Sequence, residues 1–308
     1  MGFSLHPVSF ACLVCALRPA LRYGDARKGN GMSASSGQIR LAVLGAGKMG
    51  GILIEAFVKH KLVLPKNIHA TVHASDLSRK SASKKLVTVG VDNRAAVRKA
   101  NVILLCVKPQ TVGSLVDEIA AELKPNQLVI SVAASVPTDY IESRLKSKVP
   151  VIRAMPNTPA MVGEGATALT KGKFASDKNI ETAQKLFGAV GKTVVVDEKN
   201  MDAITGLSAS GPAFIYIILE SLAEGGVKAG LSRDLATMLA AQTALGAAKM
   251  VIETGEHPAQ LKDTVTTPAG CTIDGILELE EGGLRVTLIK AVVKAAQRAK
   301  ELLVRDEK

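Results

Sequence analysis

Residues 39–51 read Ile-Arg-Leu-Ala-Val-Leu-Gly-Ala-Gly-Lys-Met-Gly-Gly and lead into a helical pattern over residues 52–60. In a G-x-G-x-x-G turn, the first glycine makes a tight bend, the second lets the backbone approach a pyrophosphate, and the third lets the helix pack against the strand. The same glycines can also form a turn that only packs. The apolar run before them and the amphipathic run after them favour a nucleotide-binding turn. Its predicted cofactor contacts are Gly45, Ala46, Gly47, Lys48, Met49 and Gly50.

The composition is that of a globular protein with aliphatic cores. The 308 residues are 47% hydrophobic, 22% charged and 3% aromatic, and there is no tryptophan. This length favours two domains, and the shortage of aromatic residues argues against surfaces on which nucleic-acid bases stack. The formal net charge is +11, but the basic residues are spread at ordinary helix-surface spacing. We therefore expect attraction of small anions and no nucleic-acid partner.

Residues 1–38 differ from the rest of the chain and are predicted to be a poorly ordered extension. An apolar patch at residues 8–17 is followed by basic residues, but residues 1–6 lack the positive charge that a secretory signal requires. A transit peptide and an upstream extension without a function both stay open, and composition favours the second. The predicted location is cytoplasmic, with organellar targeting by residues 1–31 as the alternative.

Neither a metal nor a membrane is predicted. Cys12 and Cys15 have C-x-x-C spacing, but no second Cys or His pair lies nearby to complete a zinc site. Outside the extension, no run approaches the roughly 20 consecutive apolar residues of a membrane span.

The apolar runs after the glycine turn alternate with helical patterns, as expected of an α/β fold. Strands are predicted at residues 39–44, 67–74, 87–91, 102–107, 128–132, 149–153, 166–170 and 193–196. They predict a doubly wound, mostly parallel Rossmann sheet over residues 39–198. Ligands bind beyond the carboxyl ends of such strands. Further cofactor contacts are therefore predicted at Asn93, which opens a helix, and at Val107, Lys108, Pro109, Ala133 and Ala134.

The identity of the nucleotide depends on the end of the second strand. A fold selective for NAD places an acidic residue there, whereas this chain has His-Ala-Ser at residues 73–75. Ser75 and Arg79, with neighbouring hydroxyl and basic groups, could hold a 2'-phosphate, which favours NADPH and leaves NADH possible. The alternative is a polar cap and the solvated first turn of a helix that ends at Leu86.

Residues 199–308 are predicted to form an all-helical domain. Ala-rich helical patterns cover residues 211–228, 233–253, 272–281 and 284–303. A stripe of small residues, which permits close approach of helices, consists of Ala236, Ala240, Ala244 and Ala247. The stripe predicts either a dimer interface or packing within one subunit.

Residues 261–275 read Leu-Lys-Asp-Thr-Val-Thr-Thr-Pro-Ala-Gly-Cys-Thr-Ile-Asp-Gly, and residues 279–283 read Leu-Glu-Glu-Gly-Gly. These segments resemble the signature of the pyrroline-5-carboxylate reductase family. The resemblance extends to segments at 151–159, 205–213 and 225–231, and covers residues 39–303. The chain departs from the family at Ala269, where the signature has the first glycine of Pro-Gly-Gly.

The resemblance implies hydride transfer from NAD(P)H to the C=N carbon of 1-pyrroline-5-carboxylate, which yields L-proline, in a homodimer or a higher homo-oligomer. It assigns Thr272 as the catalytic contact to the ring nitrogen or the carboxylate. The loop that leads into a helix can hold that carboxylate on backbone N–H groups. The substrate contacts implied are Val265, Thr266, Thr267, Pro268, Gly270, Cys271 and Thr272.

Three alternative functions are considered, of which the first two share this architecture. A 3-hydroxyacid dehydrogenase needs a catalytic lysine on the first helix of the second domain, but residues 213–217 are apolar. Another imine reductase and a nucleotide-sensing binding protein are the remaining alternatives. No strong acid or base is required for the predicted reaction, because a cyclic imine can be protonated in solution.

Overall fold

The computed structural model describes residues 39–76 and 87–304. The predictions for residues 1–38, for Arg79 and for the helix that ends at Leu86 lie outside this part of the chain.

The first domain is built on a single eight-stranded sheet. The strands are β1 (Leu41–Leu44), β2 (Ile68–Thr71), β3 (Thr88–Gly90), β4 (Val102–Leu105), β5 (Leu128–Ser131), β6 (Val151–Met155), β7 (Gly165–Lys171) and β8 (Gly191–Val195). Their order is β3-β2-β1-β4-β5-β6-β7-β8, and β1 to β6 are parallel. β7 is antiparallel to β6, and β8 is parallel to β7. The mostly parallel Rossmann sheet is confirmed.

Helices cover both faces of the sheet, which explains why its central strands are continuous apolar runs. The helices are α1 (Lys48–Lys59), α2 (Asn93–Lys99), α3 (Pro109–Ile119), α4 (Thr138–Arg144) and α5 (Asp177–Gly188). α1 and α5 share one core, where the rings of Phe57 and Phe187 meet edge to face with centroids 6.4 Å apart. α2, α3 and α4 enclose a second core on the opposite face.

The second domain is helical, as predicted. It begins with α6 (Met201–Ile204) and a π-helical turn (Thr205–Ala209). The helices that follow are α7 (Gly211–Lys228), α8 (Arg233–Thr254), α9 (Pro258–Val265), α10 (Cys271–Glu281) and α11 (Leu284–Val304). α7 packs along α8, and α11 packs against α6 and the π-helical turn. Gly206 permits this last contact, because a Cβ atom there would lie 2.7 Å from the Ala296 backbone nitrogen.

The alanine stripe of α8 packs within this chain over only part of its length. Ala236 and Ala240 are buried against α7, whereas Ala244 is half-buried and Ala247 is exposed. Many apolar side chains of the domain that are larger than alanine are also exposed. They include Ile215, Tyr216, Ile217, Met238, Leu245, Met250, Ile252, Leu277, Val286, Ile289 and Val293. This chain alone therefore does not cover the apolar surface of its helical domain.

Two helical runs, Glu198–Lys228 and Arg233–Thr254, are long and apolar enough to cross a membrane on length and composition, each with a mean hydropathy of 1.4. Neither run was predicted to cross a membrane, because small and polar residues are interspersed within both helices and interrupt the apolar sequence. The same exposed apolar surface is expected of helices that pack against a second copy of the chain. The predicted absence of a membrane partner stays a prediction.

Candidate active site

The three glycines of the turn after β1 occupy three different environments. Gly45 has a φ of +92°, and a Cβ atom there would lie 2.8 Å from Cγ1 of Val107. A Cβ atom on Gly50 would lie 2.7 Å from the Gly45 carbonyl oxygen, so this glycine permits close packing of α1. At Gly47 a Cβ atom would meet nothing within 4 Å. The bend, the open approach and the close packing thus fall on the first, second and third glycine, as the motif predicts.

The start of α1 presents free backbone donors to the space beside Gly47. The carbonyl oxygen of Thr71, at the end of β2, fixes the turn by accepting from the N–H groups of Gly45 (3.0 Å) and Ala46 (2.7 Å). The first helical bond runs from the Gly51 N–H to the Gly47 carbonyl (2.8 Å), and no side chain caps this end. The Gly47 N–H donates to the Gly45 carbonyl (2.7 Å). The N–H groups of residues 48–50, the first of the helix, have no partner within it and can bind an anion.

The ends of β1, β4 and β5 form one continuous edge, because these strands are neighbours in the sheet. Val107 borders the glycine turn, and α3 begins at Pro109 with Lys108 as its N-cap residue. Beyond β5, Ala133 is buried, and Ala134 packs against the apolar cluster around Met155. The structure therefore brings the predicted cofactor residues of all three strands together.

Ser75 and Asn93 lie near the end of β2. Ser75 is exposed in a short 3-10 turn, and its hydroxyl oxygen is 2.8 Å from Nδ1 of His73. The Asn93 Oδ1 accepts from the Thr71 hydroxyl (2.6 Å), and its Nδ2 donates to Glu118 (3.0 Å). Asn93 thus supports the residue whose carbonyl fixes the glycine turn. The sequence did not mark Thr71, since its contribution is a backbone carbonyl that any residue type would supply.

The predicted substrate loop joins α9 to α10. Its hydrogen bonds run within the helical domain: the Thr266 hydroxyl donates to the Lys262 carbonyl (2.9 Å), and the Gly270 N–H donates to the Thr267 carbonyl (3.0 Å). Gly270 is the N-cap residue of α10, and no side chain caps this end. Thr272 lies half-buried in the first turn. The Ile273 N–H donates to the Gly270 carbonyl (3.3 Å), whereas the N–H groups of residues 271 and 272 precede the first helical bond and have no helical partner.

Ala269 adopts a φ of +56°. This left-handed conformation is costly for a residue with a Cβ atom, by roughly 1–2 kcal/mol. Ala269, which stands where the family signature has glycine, therefore strains the loop.

A cavity of about 950 Å³ lies away from both groups of residues. It is lined by α1, the 3-10 turn Thr158–Val162, the end of α5 and the start of β8, and by none of the predicted cofactor or substrate residues. In residues 39–76 and 87–304, no three His, Cys, Asp or Glu residues gather into a group that could hold a metal ion.

Both halves of the chain match protein-family models. Residues 40–135 match the model described as NADP oxidoreductase coenzyme F420-dependent, and residues 198–302 match pyrroline-5-carboxylate reductase dimerisation. The chain is 44% identical to the pyrroline-5-carboxylate reductase of Methanosarcina acetivorans, over 85% of this chain and 97% of the relative. It is 46% identical to that of Glycine max, over 85% and 95%.

The structure of Plasmodium falciparum pyrroline carboxylate reductase with NADP bound is similar to this one, with a TM-score of 0.79. The two sequences are 30% identical, and the match covers 86% of this chain and 98% of that one.

The glycine turn, the sheet edge and the helical domain define an NADP-binding oxidoreductase that assembles through its helical domain. The chain belongs to the pyrroline-5-carboxylate reductase family. Its function is the NAD(P)H-dependent reduction of 1-pyrroline-5-carboxylate in proline biosynthesis, rather than the oxidation of a hydroxyacid or the sensing of a nucleotide. The predicted family, reaction and cofactor class are confirmed.

Proposed function

We propose that the edge formed by the glycine turn and the ends of β4 and β5 binds NADPH, and that residues 265–272 bind 1-pyrroline-5-carboxylate. The observation that carries the first part is the open space beside Gly47, next to the uncapped start of α1. A pyrophosphate placed there accepts hydrogen bonds from backbone N–H groups and lies at the positive end of the helix.

The preference for NADPH rests on the end of β2. No acidic residue stands at positions 73–75, where it would repel a 2'-phosphate, and Ser75 is exposed there. Arg79 supplies the positive charge in this proposal. NADH lacks the 2'-phosphate and gains nothing from this charge.

The substrate carboxylate binds at the start of α10, where the cap of the helix leaves backbone donors free. Thr272 donates its hydroxyl hydrogen to the carboxylate or contacts the ring nitrogen. The carbon of the protonated C=N bond accepts the hydride. The π electron pair of that bond passes to nitrogen, which gives the secondary amine of proline. When bound, NADPH supplies the hydride, while the chain orients the imine and excludes water.

The homo-oligomer is a dimer or a larger assembly of dimers in this proposal. Its support is the exposed apolar surface of α7 and α8, which a second copy can cover. The proposed location is the cytoplasm. A fusion of residues 1–38 to a fluorescent protein tests this, and import of the fusion into an organelle would contradict it.

One assay tests the central proposal. Purified protein is mixed with 1-pyrroline-5-carboxylate and either NADPH or NADH, and loss of nicotinamide absorbance is followed. A higher kcat/KM with NADPH supports the proposed phosphate contact. Equal values with the two cofactors would remove it without affecting the site of the pyrophosphate.

A further inference from the structure

The π-helical turn before α7 leaves one carbonyl group without a helical partner. In an α-helix the Ser208 carbonyl would accept from the N–H of residue 212, but that residue is Pro212, which has none. The next candidate donor, the N–H of Ala213, instead donates to the Ser210 carbonyl (3.0 Å). The Ser208 carbonyl therefore needs a partner from outside the helix.

Asn157, in the loop after β6, supplies that partner. Its Nδ2 donates to the Ser208 carbonyl (3.1 Å) and lies 3.4 Å from the Ser208 hydroxyl oxygen. Its Oδ1 accepts from the Ala166 N–H (2.9 Å), at the start of β7. The amide is thus held at both ends, which fixes its orientation. One half-buried side chain joins the loop of the first domain to the start of the second.

The joined turn lies beside the cofactor edge. Ala209, the last residue of the turn, packs in the same apolar cluster as Ala134, which follows β5, and Met155, which ends β6. α7 begins two residues after Ala209, and α11 crosses the turn at Gly206. A shift of the turn would therefore move both helices relative to the ends of the strands. π-helical turns are frequent at functional sites, where they adjust the path of a helix.

We propose that Asn157 is a positioning residue for hydride transfer. By holding the Ser208 carbonyl, it sets the distance between the sheet edge that binds NADPH and the helical domain that binds the imine. This inference rests on the proposed placement of cofactor and substrate. Hydride transfer is sensitive to this distance, since a misplacement of 1 Å can reduce a rate by about a hundredfold.

The first test is Asn157→Asp, which keeps the acceptor for Ala166 but replaces the donor to Ser208 by a carboxylate oxygen. We expect kcat to fall by about tenfold to a hundredfold, with the dissociation constant of NADPH unchanged. The primary kinetic isotope effect with deuterated NADPH should rise, because hydride transfer becomes rate-limiting. The matched control is Ser208→Ala, which removes only the 3.4 Å contact and leaves the carbonyl bond, so its kcat should stay within about twofold.

The second test is a double-mutant cycle with Pro212→Ala, which restores an N–H that can donate to the Ser208 carbonyl. Asn157→Ala should reduce kcat much less in this background than in the natural sequence. If Asn157→Ala folds poorly by itself, the double variant can still be compared with Pro212→Ala. An undiminished loss of kcat in the Pro212→Ala background would overturn the proposal. So would a fall in melting temperature with no change in kcat or in the isotope effect, since Asn157 would then only stabilise the fold.

Coupling between Asn157→Ala and Pro212→Ala that is seen in thermal unfolding but not in kcat would likewise overturn the proposal, because Asn157 would then act on stability alone. Failure of the assay with 1-pyrroline-5-carboxylate in the natural sequence, in contrast, would reject the proposed function itself.

Discussion

Arg153, buried in β6, places Nη1 3.5 Å from Oε1 of Glu198, at the boundary between the two domains. Its Nη2 lies 3.5 Å from Oδ1 of Asp202. Glu198 also accepts from both the N–H (2.8 Å) and the hydroxyl (2.6 Å) of Thr138, at the start of α4. One buried cation thus ties the sheet and α4 to the start of the helical domain.

Removing Glu198 should destabilise the protein strongly. Glu198→Ala leaves the buried guanidinium with one carboxylate and leaves Thr138 without its acceptor, so we expect a loss of about 3 kcal/mol in the free energy of unfolding. The control is Asp197→Ala, whose carboxylate also lies 3.5 Å from a cation, Lys199, but on an exposed surface. Its effect should stay within about 0.5 kcal/mol. Urea unfolding of both variants measures the difference, and equal losses would contradict a structural role for the buried pair.

The glycine turn permits a separation of folding from cofactor binding. Gly47→Val places a side chain in open space, so the fold should persist while NADPH binding weakens by at least about tenfold, or about 1.4 kcal/mol. Gly50→Ala instead forces a Cβ atom against the Gly45 carbonyl and should destabilise the fold by about 1–3 kcal/mol. Titration with NADPH and thermal unfolding give the two readouts. A folded Gly47→Val variant that binds NADPH normally would exclude Gly47 from the site.

Ala269→Gly should relieve the strain of a positive φ in the substrate loop. We expect the free energy of unfolding to rise by about 1 kcal/mol, because glycine adopts this conformation without steric cost. Lys61 has the same φ of +56° outside the loop, and Lys61→Gly is the matched control. Both variants should be stabilised by a similar amount in chemical unfolding. A loss of stability on Ala269→Gly would show that contacts of the alanine methyl outweigh the strain.

Glu142, in α4, has one carboxylate oxygen, Oε1, buried without a hydrogen-bond partner among the described residues. Burial raises the pKa of Glu142, backbone N–H groups of Phe174 and Lys173 act in the opposite direction, and the negative charges of Glu198 and Asp139 raise it further. The net shift is upward, so the folded protein holds this proton more tightly than the unfolded chain does. The stabilisation is complete below the unfolded pKa and is lost as the pH rises through the folded pKa.

Glu142→Gln removes this titration. Relative to the natural protein, the variant should gain stability as the pH rises from about 4 to about 7. Urea unfolding at both pH values checks the prediction. A difference in stability that does not change with pH would contradict it.

Local patterns were sufficient for the predictions that came true. The apolar runs marked all eight strands, and the glycine spacing marked the turn, because both depend on neighbouring residues. Pro156 and Pro159 flank Asn157 in the sequence and restrict the backbone of its loop. The sequence alone does not identify the partner of Asn157. It could not show that Asn157 meets Ser208, 51 residues later, since that bond depends on how two domains pack. The same holds for Thr71, whose carbonyl reaches the glycine turn only after β1 and β2 have paired.

Thr272 belongs both to the segment that matches the family signature and to the first turn of α10. If its hydroxyl makes one hydrogen bond to the charged substrate, Thr272→Ala should remove about 1.5–3 kcal/mol of transition-state stabilisation. This corresponds to a loss of about tenfold to a hundredfold in kcat/KM, because each 1.4 kcal/mol is a factor of ten. Activity should not vanish, since in the proposed site the backbone N–H groups at the start of α10 still hold the carboxylate.

Two controls separate this contact from an effect on the loop. Thr272→Ser keeps the hydroxyl and should retain most of the activity. Thr264→Ala removes a hydroxyl that only donates to the Leu261 carbonyl (2.7 Å), and should leave kcat/KM unchanged. A bulky residue at Gly270 should act more severely than Thr272→Ala, because a Cβ atom there already collides with the Thr267 hydroxyl. NADPH binding should be normal in every case, since the nucleotide lies on the other domain. If Thr272→Ala and a Gly270 variant both kept the natural kcat/KM, the loop would serve only as a helix cap and the substrate would bind elsewhere.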